Sequence, residues 1–302
     1  MEDPVGRFAR NVAALIAFVL VPWPQPLSIA HAAAQQVAQP CTAAGALVKV
    51  PQLTEASGLA LSRRVPGRLW THNDSGQPVL FALDSRGAVT GQLRVNGAKV
   101  EDWEAVAVGP CGGGSCIYIG DIGDNDAKRR GIVVYRVPEP DGASGTAAVA
   151  DTLRATYPDG AHDAETLLVA DGRLYIVTKG ETGPVGLYRF PAQLQSGTTM
   201  KLERVGDGSL TADADSRITD GSVSPDDQWI VLRSKSALTF YRASELLAGR
   251  WRAASTVDLK PLNEPQGEGL ALGAGNAVFL AGEGGGKKQP GTFARFTCAP
   301  KS

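Results

Sequence analysis

The fold is decided by residues 100–138, VEDWEAVAVGPCGGGSCIYIGDIGDNDAKRRGIVVYRVP. An acidic start leads into a short apolar strand at residues 105–108, and a glycine-rich turn separates it from a second strand at 116–119. An acidic loop at 120–126 then leads into a third strand at 131–137. Short strands separated by turn residues are typical of an antiparallel sheet.

The same pattern recurs roughly every fifty residues, which is the most informative property of the chain. Each copy puts one carboxylate just before a short strand of small and apolar residues, and two further strands follow. The copies are TEASGLALS at 54–62, DWEAVAVGP at 102–110, DAETLLVAD at 163–171, ITDGSVSPD at 218–226 and QGEGLALGA at 266–274. A period near fifty residues with about four strands indicates the blades of a β-propeller, whereas solenoid repeats are usually shorter.

We therefore predict an all-β fold, a single β-propeller with five four-stranded blades. The last copy has only three strands after its carboxylate, so residues 46–50 near the N-terminus are expected to supply the fourth. A six-bladed ring is the alternative, but it needs one more repeat and no segment is free to supply it. The long interval between the second and third copies holds only a predicted loop, residues 139–149.

The N-terminal residues differ in character from the repeats. Two arginines precede an apolar run at residues 12–21, which is too short to span a bilayer comfortably, and the small-residue sequence Ala-His-Ala at 30–32 is typical of a cleavage site. We predict a signal peptide at residues 1–34 and the propeller domain at 35–302, in a secreted, periplasmic or cell-envelope protein. A retained membrane anchor is the alternative.

Four cysteines, all downstream of the predicted signal, suit an oxidising compartment. Cys111 and Cys116 flank a Gly-Gly-Gly-Ser turn between two strands of one blade, close enough to form a disulfide. Cys41 and Cys298 would meet if the N-terminal strand closes the last blade. A zinc site is the alternative, but it would need a second close pair of cysteines.

The formal net charge is −1, and no run of lysine and arginine is interleaved with aromatic residues. Nucleic acid is therefore a poor candidate partner, and so is an anionic membrane after signal cleavage. We expect a monomer that binds an unidentified small molecule or protein at one face of the central channel. Patterns typical of serine hydrolases, zinc proteases and P-loop proteins are missing from the sequence.

The repeated carboxylates carry the predicted chemistry, because the first strand of each propeller blade lines the central channel. Two like charges ~6 Å apart at an effective dielectric near 20 repel by roughly 3 kcal/mol, so the acids must bind either protons or a cation. Oxygen ligands favour a hard cation, with Ca²⁺ as the first choice and Mg²⁺ or Mn²⁺ as alternatives. The other interpretation is that each acid joins its blade to a neighbour by accepting backbone N–H groups. The predicted metal ligands are Glu55, Glu104, Glu165, Asp220 and Glu268.

The loops after the second strands are expected to surround the mouth of the channel where these acids lie. Lys179 and Arg233, with Lys235, could hold an anionic substrate there. His72, His162 or Asp121 could move a proton, although each histidine could equally bond a loop backbone. The predicted rim and substrate residues are Asn73, Asp74, Asp124, Lys179, Arg233 and Glu283.

A family resemblance rests on the phrases EASGLAL, DWEAVAV, HDAETLLV and QGEGLALG, together with NDSG and IGDIGDN. They resemble the calcium-binding bacterial propellers known as SdiA-regulated or esterase-like phytase, and the five-blade count is similar to that of secreted calcium-dependent apyrases. The resemblance implies a calcium ion near Glu55, Glu104, Glu165 and Glu268, whereas Asp220 departs from the glutamate pattern. The lysine cluster of β-propeller phytases is missing, so phytase activity is not expected.

Two functions of different classes follow from these features. The first is a metal-dependent hydrolase of a phosphoester, an ester or a lactone, in which the ion polarises the substrate. The alternative is a non-catalytic secreted binding propeller whose calcium serves only rigidity. Propellers host both kinds of function, so the fold does not decide between them.

Overall fold

The computed structural model describes residues 41–181, 183–208, 216–286 and 288–299. The predicted signal peptide at residues 1–34 lies outside these residues and stays a prediction. The described chain is almost entirely β-structure, with one short α-helix and two 3₁₀ turns. None of its helices has the length and apolar character needed to cross a membrane.

The strands follow one another in the order that the repeats predict. Two short strands, β1 (Cys41–Ala43) and β2 (Val48–Val50), come first. Blade 1 contains β3 (Ala56–Leu61), β4 (Leu69–Asn73), β5 (Val79–Leu83) and β6 (Val89–Asn96). Blade 2 contains β7 (Trp103–Cys111), β8 (Gly114–Asp121), β9 (Ile132–Pro138) and, after the short strand β10 (Gly145–Ala148), β11 (Asp151–Thr156).

Three further blades complete the described chain. Blade 3 contains β12 (Ala164–Ala170), β13 (Arg173–Thr178), β14 (Gly186–Arg189) and, after β15 (Thr199–Lys201), β16 (Glu203–Asp207). Blade 4 contains β17 (Ile218–Val223), β18 (Trp229–Ser234), β19 (Ala237–Arg242), the helix α1 (Ala243–Leu246) and β20 (Ala253–Asp258). Blade 5 contains β21 (Gln266–Leu272), β22 (Ala277–Glu283) and β23 (Gly291–Cys298).

The blades form a closed ring, because each innermost strand contacts the innermost strands of both neighbouring blades, in the cyclic order β3, β7, β12, β17, β21. The five-bladed propeller predicted from the sequence is therefore confirmed. The closing strand is divided in two: β1 pairs with one half of β23 and β2 with the other, both antiparallel. The predicted closing segment, residues 46–50, contains only the second of these strands.

Both predicted disulfides are present, Cys41–Cys298 and Cys111–Cys116. The first joins β1 to β23 at the register pair of the two cysteines, so it locks the seam where the ring closes. The second spans the turn between β7 and β8. Two disulfides and no free cysteine among the described residues suit an oxidising, extracytoplasmic compartment.

Two short strands extend the predicted pattern. The loop expected at residues 139–149 contains β10, which leaves blade 2 and pairs in parallel with β6 of blade 1. In the same way β15 leaves blade 3 and pairs in parallel with β11 of blade 2. Each strand covers the outer edge of the preceding blade, where unpaired backbone groups would otherwise be open to another chain.

The hydrophobic core lies between the blades rather than inside any one of them. Each buried cluster draws side chains from two neighbouring blades, as where Trp70 of blade 1 and Trp103 of blade 2 share one cluster. Both indoles are fully buried, and burial of an aromatic side chain of this size contributes about 3 kcal/mol. Each blade packs one face against the blade before it and the other face against the blade after it. The five blades therefore stabilise one another.

Glycines allow the innermost strands to approach closely. Gly58 in β3 has a φ of +65°, and a Cβ there would lie 2.7 Å from the backbone nitrogen of Val106 in β7. A Cβ on Gly269 in β21 would lie 2.9 Å from the carbonyl carbon of Gly58. Backbone thus packs against backbone around the channel, just below the mouth where the repeated acids lie.

Candidate functional site

A β-bulge near the start of the innermost strand positions the central carboxylates. In blades 2, 3 and 5 the bulge contains Glu104, Glu165 and Glu268, respectively. A residue in a bulge has no partner in the ladder of strand pairs, and its side chain is redirected. All three glutamates are buried. The bulges therefore place them at equivalent positions around one mouth of the channel.

The other two repeated acids occupy different positions. In blade 1 the bulge contains Gly58, and Glu55 lies before the strand, where its carboxylate accepts a hydrogen bond of 2.6 Å from the Ser75 hydroxyl. In blade 4 the bulge contains Thr219, and Asp220 is the next residue. The five acids that align in sequence are therefore not equivalent in space.

Asp220 is bonded to the backbone of three blades. Its Oδ2 accepts the N–H groups of Leu59 in blade 1, at 3.2 Å, and of Leu270 in blade 5, at 2.7 Å. Its Oδ1 accepts the N–H of Gly221 at 2.7 Å. The side chain is completely buried, and burial raises its pKa well above the usual range. Among the repeated acids, Asp220 has the contacts expected of a link between blades.

Two aspartates that the sequence reading did not include join the central glutamates. Asp102 interacts electrostatically with Glu104 and Asp163, and burial together with the charge of Asp163 raises the pKa of Asp102. Asp163 lies in the same way two residues before Glu165. Residues i and i+2 of an extended strand share a face, so the sequences Asp-Trp-Glu and Asp-Ala-Glu could have identified both aspartates.

Lys179 is the lysine at the centre of this cluster. Its ammonium contacts Glu165 and lies 3.4 Å from Oδ2 of Asp163. Burial alone would lower the pKa of Lys179, but the charges of Glu165 and its neighbours raise it, so the side chain stays charged. We call the surrounding carboxylates, which interact electrostatically with one another, the acidic mouth. They are Glu55, Asp74, Asp102, Glu104, Asp163, Glu165, Glu268 and Glu283.

Burial and mutual repulsion disfavour ionisation of several carboxyl groups of the acidic mouth. Burial, followed by the charge of Glu165, raises the pKa of Glu104 and of Glu268 well above the usual range. Burial also raises the pKa of Glu165 to about 7, despite the opposing charge of Lys179. The pKa of Glu283 rises to about 7, through burial and the charge of Asp74. At neutral pH the acidic mouth therefore holds protons that a cation could replace.

The predicted rim residues next to blade 1 frame this mouth. The side chain of Asn73 accepts the N–H of Glu55 at 3.2 Å and donates to the backbone of Gln52. Asp74 follows it, and burial with the charge of Glu55 raises its pKa to about 6. Oδ1 of Asp74 is shielded from solvent and has no hydrogen-bond partner.

Asp121 and Asp124 shape the loop beside blade 2. Asp121 accepts the backbone N–H groups of Glu101 and Asp102 and lies 2.9 Å from the guanidinium of Arg129. Asp124 accepts two backbone N–H groups of its own loop and donates its N–H to Oδ1 of Asp163 at 2.7 Å. Both carboxylates are buried and bonded, which fixes the loop around Asp102 and Asp163.

Arg233 does not extend towards a ligand. It is fully buried, and Nη1 donates to the carbonyls of Gly269 and Ala281 at 2.7 and 2.8 Å. Nη2 lies 2.5 Å from the carboxylate of Glu264. Its contacts join blade 4 to blade 5, while Lys235 is exposed nearby in sequence.

The two histidines lie in different environments. His72 is completely buried with its ring edge-on to Trp103, and burial lowers its pKa to about 4. It is therefore neutral at neutral pH. His162 is partly exposed, with Nε2 at 3.0 Å from both Asp159 and the Tyr188 hydroxyl. His162 borders a separate cavity rather than the acidic mouth.

The acidic mouth fits a hard cation in the nature of its donors. All are carboxylate oxygens, and Oδ2 of the buried Asp163 has no hydrogen-bond partner. In the positions seen here, however, Lys179 takes the central place. Within the described ranges no three acids, histidines or cysteines are close enough together to hold a metal ion. A cation would therefore have to compete with the ammonium of Lys179.

Comparison with known proteins supports the architecture only. No family model and no curated protein matches the sequence. A PQQ-bound aldose sugar dehydrogenase from Streptomyces coelicolor is similar over 86% of this chain and 98% of its own, at 11% identity and a TM-score of 0.52. A gluconolactonase from Xanthomonas campestris is similar over 82% of this chain and 89% of its own, at 14% identity and a TM-score of 0.43. The similarity to the dehydrogenase, at 11% identity, concerns the fold alone. The chain is a five-bladed β-propeller.

Proposed function

We propose that the acidic mouth binds a divalent cation, with Ca²⁺ as the first choice and Mg²⁺ or Mn²⁺ as alternatives, and that it is the hydrolytic site of an exported enzyme. One observation carries the proposal: eight carboxylates interact electrostatically with one another, and within the described part of the chain Lys179 is the lysine that pairs with them. Arg129 and Arg233, the arginines nearest to them, are bonded to other groups. A divalent cation would supply the missing positive charge.

Glu104, Glu165 and Glu268 would hold the cation, because they occupy equivalent bulges, and Asp163 would join them through Oδ2, which now lies 3.4 Å from the ammonium of Lys179. Calcium accepts six to eight oxygen ligands in flexible arrangements, which suits carboxylates supplied by different blades. When bound, the cation would supply Lewis-acid polarisation of a carbonyl or phosphoryl oxygen.

The residues of the chain itself would handle protons and orientation. Asp102, whose pKa is raised by burial and by the charge of Asp163, could take up or release a proton near the substrate. If Glu165 held the cation, the ammonium of Lys179 would be free to orient an anionic substrate. The substrate class that fits is a phosphoester, an ester or a lactone.

The deciding experiment measures bound metal in the purified protein and its melting temperature before and after chelation. We expect about one calcium ion per chain and a melting temperature that falls with chelator and recovers with calcium. Hydrolysis of phosphoester, ester and lactone panels should then require the ion. It should be lost in Glu104→Gln and retained in Glu245→Gln, which changes a partly exposed glutamate of α1 that pairs with Arg250.

Two results would go against this proposal. A protein that contains no metal and responds neither to chelator nor to calcium would rule out the cation site. Bound calcium without turnover of any panel substrate would favour the non-catalytic binding propeller, in which the ion serves rigidity.

A further inference from the structure

A groove runs along the rim of blade 2 beside the acidic mouth. It consists of two adjoining cavities of about 250 and 360 Å³, which share Arg129, Arg130 and Gly131 on their walls. The first cavity extends to Tyr157 and His162, and the second extends to Arg154. We call these two cavities the basic groove.

The positive charges of the basic groove are not all neutralised. The guanidinium of Arg129 is already ion-paired, with Asp121 at 2.9 Å and with Glu101 at 3.4 Å. Arg130 and Arg154 are exposed, and neither forms an ion pair with a carboxylate of the described chain. These two guanidinium groups are available to a ligand.

The carboxylates on the same walls do not supply the missing partners. Glu101 faces Arg129, and Asp124 accepts the backbone N–H groups of Lys128 and Arg129 at 2.9 and 2.7 Å. Both acids are thus already engaged. The groove therefore keeps unbalanced positive charge a short way from a strongly acidic site.

The floor of the groove is backbone. A Cβ on Gly131 would lie 2.6 Å from the carbonyl oxygen of Ala155, so a larger residue would collide there and narrow the groove. In the wall, the hydroxyl of Tyr157 has no hydrogen-bond partner. Burial raises the pKa of this hydroxyl, so it stays protonated and can donate.

We infer that the basic groove is a subsite for the doubly charged oxyanion end of a small ligand. A guanidinium group matches the geometry of phosphate and carboxylate oxygens, often with two parallel hydrogen bonds. Arg130, in the loop before β9, and Arg154, in β11, line the same cavity, so a dianion can neutralise both whereas a monoanion leaves one unpaired. A phosphomonoester and a dicarboxylate share this chemistry.

Asp163 connects the basic groove to the acidic mouth. Its Oδ1 accepts the N–H of Asp124, which lies on the groove wall, and its Oδ2 lies 3.4 Å from the ammonium of Lys179. The groove and the mouth are therefore neighbours that share one buried aspartate. Binding in the groove does not depend on a cation; only the statement that such a ligand is the substrate rests on the proposed function.

The test is calorimetric titration of the purified full chain, in chelator, with phenyl phosphate and with phthalate. We expect saturable binding of at least one dianion, with weaker binding at higher salt. Arg130→Gln and Arg154→Gln should each weaken that binding about tenfold, since each removes a charge-assisted hydrogen bond. Arg252→Gln, which changes an exposed arginine of blade 4, should leave it unchanged. The two titrants show whether phosphate or dicarboxylate is preferred.

Absence of saturable binding by either dianion would overturn the inference. So would equal weakening by Arg252→Gln, because the effect would then be one of net charge. Benzoate bound as tightly as phthalate would overturn the preference for a dianion. Since the titration is done in chelator, its result is independent of the calcium response that tests the acidic mouth.

Discussion

At the scale of single residues, Lys179 supplies a positive charge that is covalently attached to the site. Its ammonium neutralises part of the charge of Glu165 and Asp163, and it does so without any ion from solution. A divalent cation at the same place would carry twice the charge. The side chain therefore both stabilises the protein without metal and competes with metal.

Replacing Lys179 by methionine separates these two effects. Without metal, at about pH 8, Lys179→Met should lower the free energy of unfolding by about 3 kcal/mol, because a buried carboxylate loses its partner. Added calcium should raise the melting temperature more in this variant than in the wild type. The exposed Lys235→Met is the matched control, and an equal effect in both variants would contradict the role of Lys179.

The raised pKa values predict how stability depends on pH. Glu165 and Glu283 have pKa values of about 7 in the folded protein, above about 4.3 in an unfolded chain. The folded state then binds more protons between these values, so its stability must fall as pH rises through 7. Denaturant midpoints in chelator should decrease from about pH 5 to about pH 8.

Calcium and mutation provide the checks on that pH dependence. Calcium should offset the loss above pH 7, because it replaces the departing protons. The double variant Glu165→Gln and Glu283→Gln should lose less stability over the same range than the wild type. A midpoint that stays constant or rises with pH would show that the mouth does not hold these protons.

The sequence identified part of this site and missed part. Glu104, Glu165 and Glu268 could be found because the same phrase recurs in three blades. Asp102 and Asp163 were within reach of the same reasoning, through their spacing from the glutamates. The ion pairs of Lys179 with Glu165 and Asp163 could not be predicted. They depend on the distances between side chains on either side of the bulge in β12.

At the scale of elements, the β-bulge determines which residue of each repeat points into the mouth. The acids of the five repeats align in sequence, yet the bulge contains Gly58 in blade 1 and Thr219 in blade 4. A bulge shifts the register by one residue without changing the apolar pattern on either side. The sequence therefore predicts the positions of the strands well. It predicts less well towards which side of a strand each acidic side chain points.

Two glycines test how closely the innermost strands approach. Gly58→Ala should destabilise strongly, by more than about 2 kcal/mol, because a Cβ would collide with the backbone of β7 in addition to the cost of a positive φ. Gly67→Ala is the control, since its φ is +78° but its Cβ would meet nothing within 4 Å. It should cost about 1 kcal/mol. Chemical denaturation of both variants measures the difference, and equal losses would refute close packing as the cause.

At the scale of the whole molecule, the number of blades could be predicted because the repeat period and the chain length leave room for only five. The disulfide across the seam followed from the need to close the last blade. The strands β10 and β15 could not be predicted, since each is short, lies in a region of turn residues and pairs with the preceding blade rather than with its own.

The two disulfides should differ in their contribution to stability. The cysteines of Cys41–Cys298 are 257 residues apart and those of Cys111–Cys116 only five, so loop entropy predicts about 5 kcal/mol for the first and about 2 kcal/mol for the second. Paired replacement by serine and denaturant unfolding measure both values. A greater loss from Cys111→Ser with Cys116→Ser would contradict the ring-closure argument.

The position of the bridge at the seam also determines how the domain responds to mechanical force. Cys41 and Cys298 are near the two ends of the described chain, and the bond between them gives tension a covalent path that bypasses every blade. A force applied to the ends of the oxidised protein would act on the disulfide bond and not on the sheets. After reduction the same pull would peel β1 and β2 from β23 and open the ring from its seam, one blade after another.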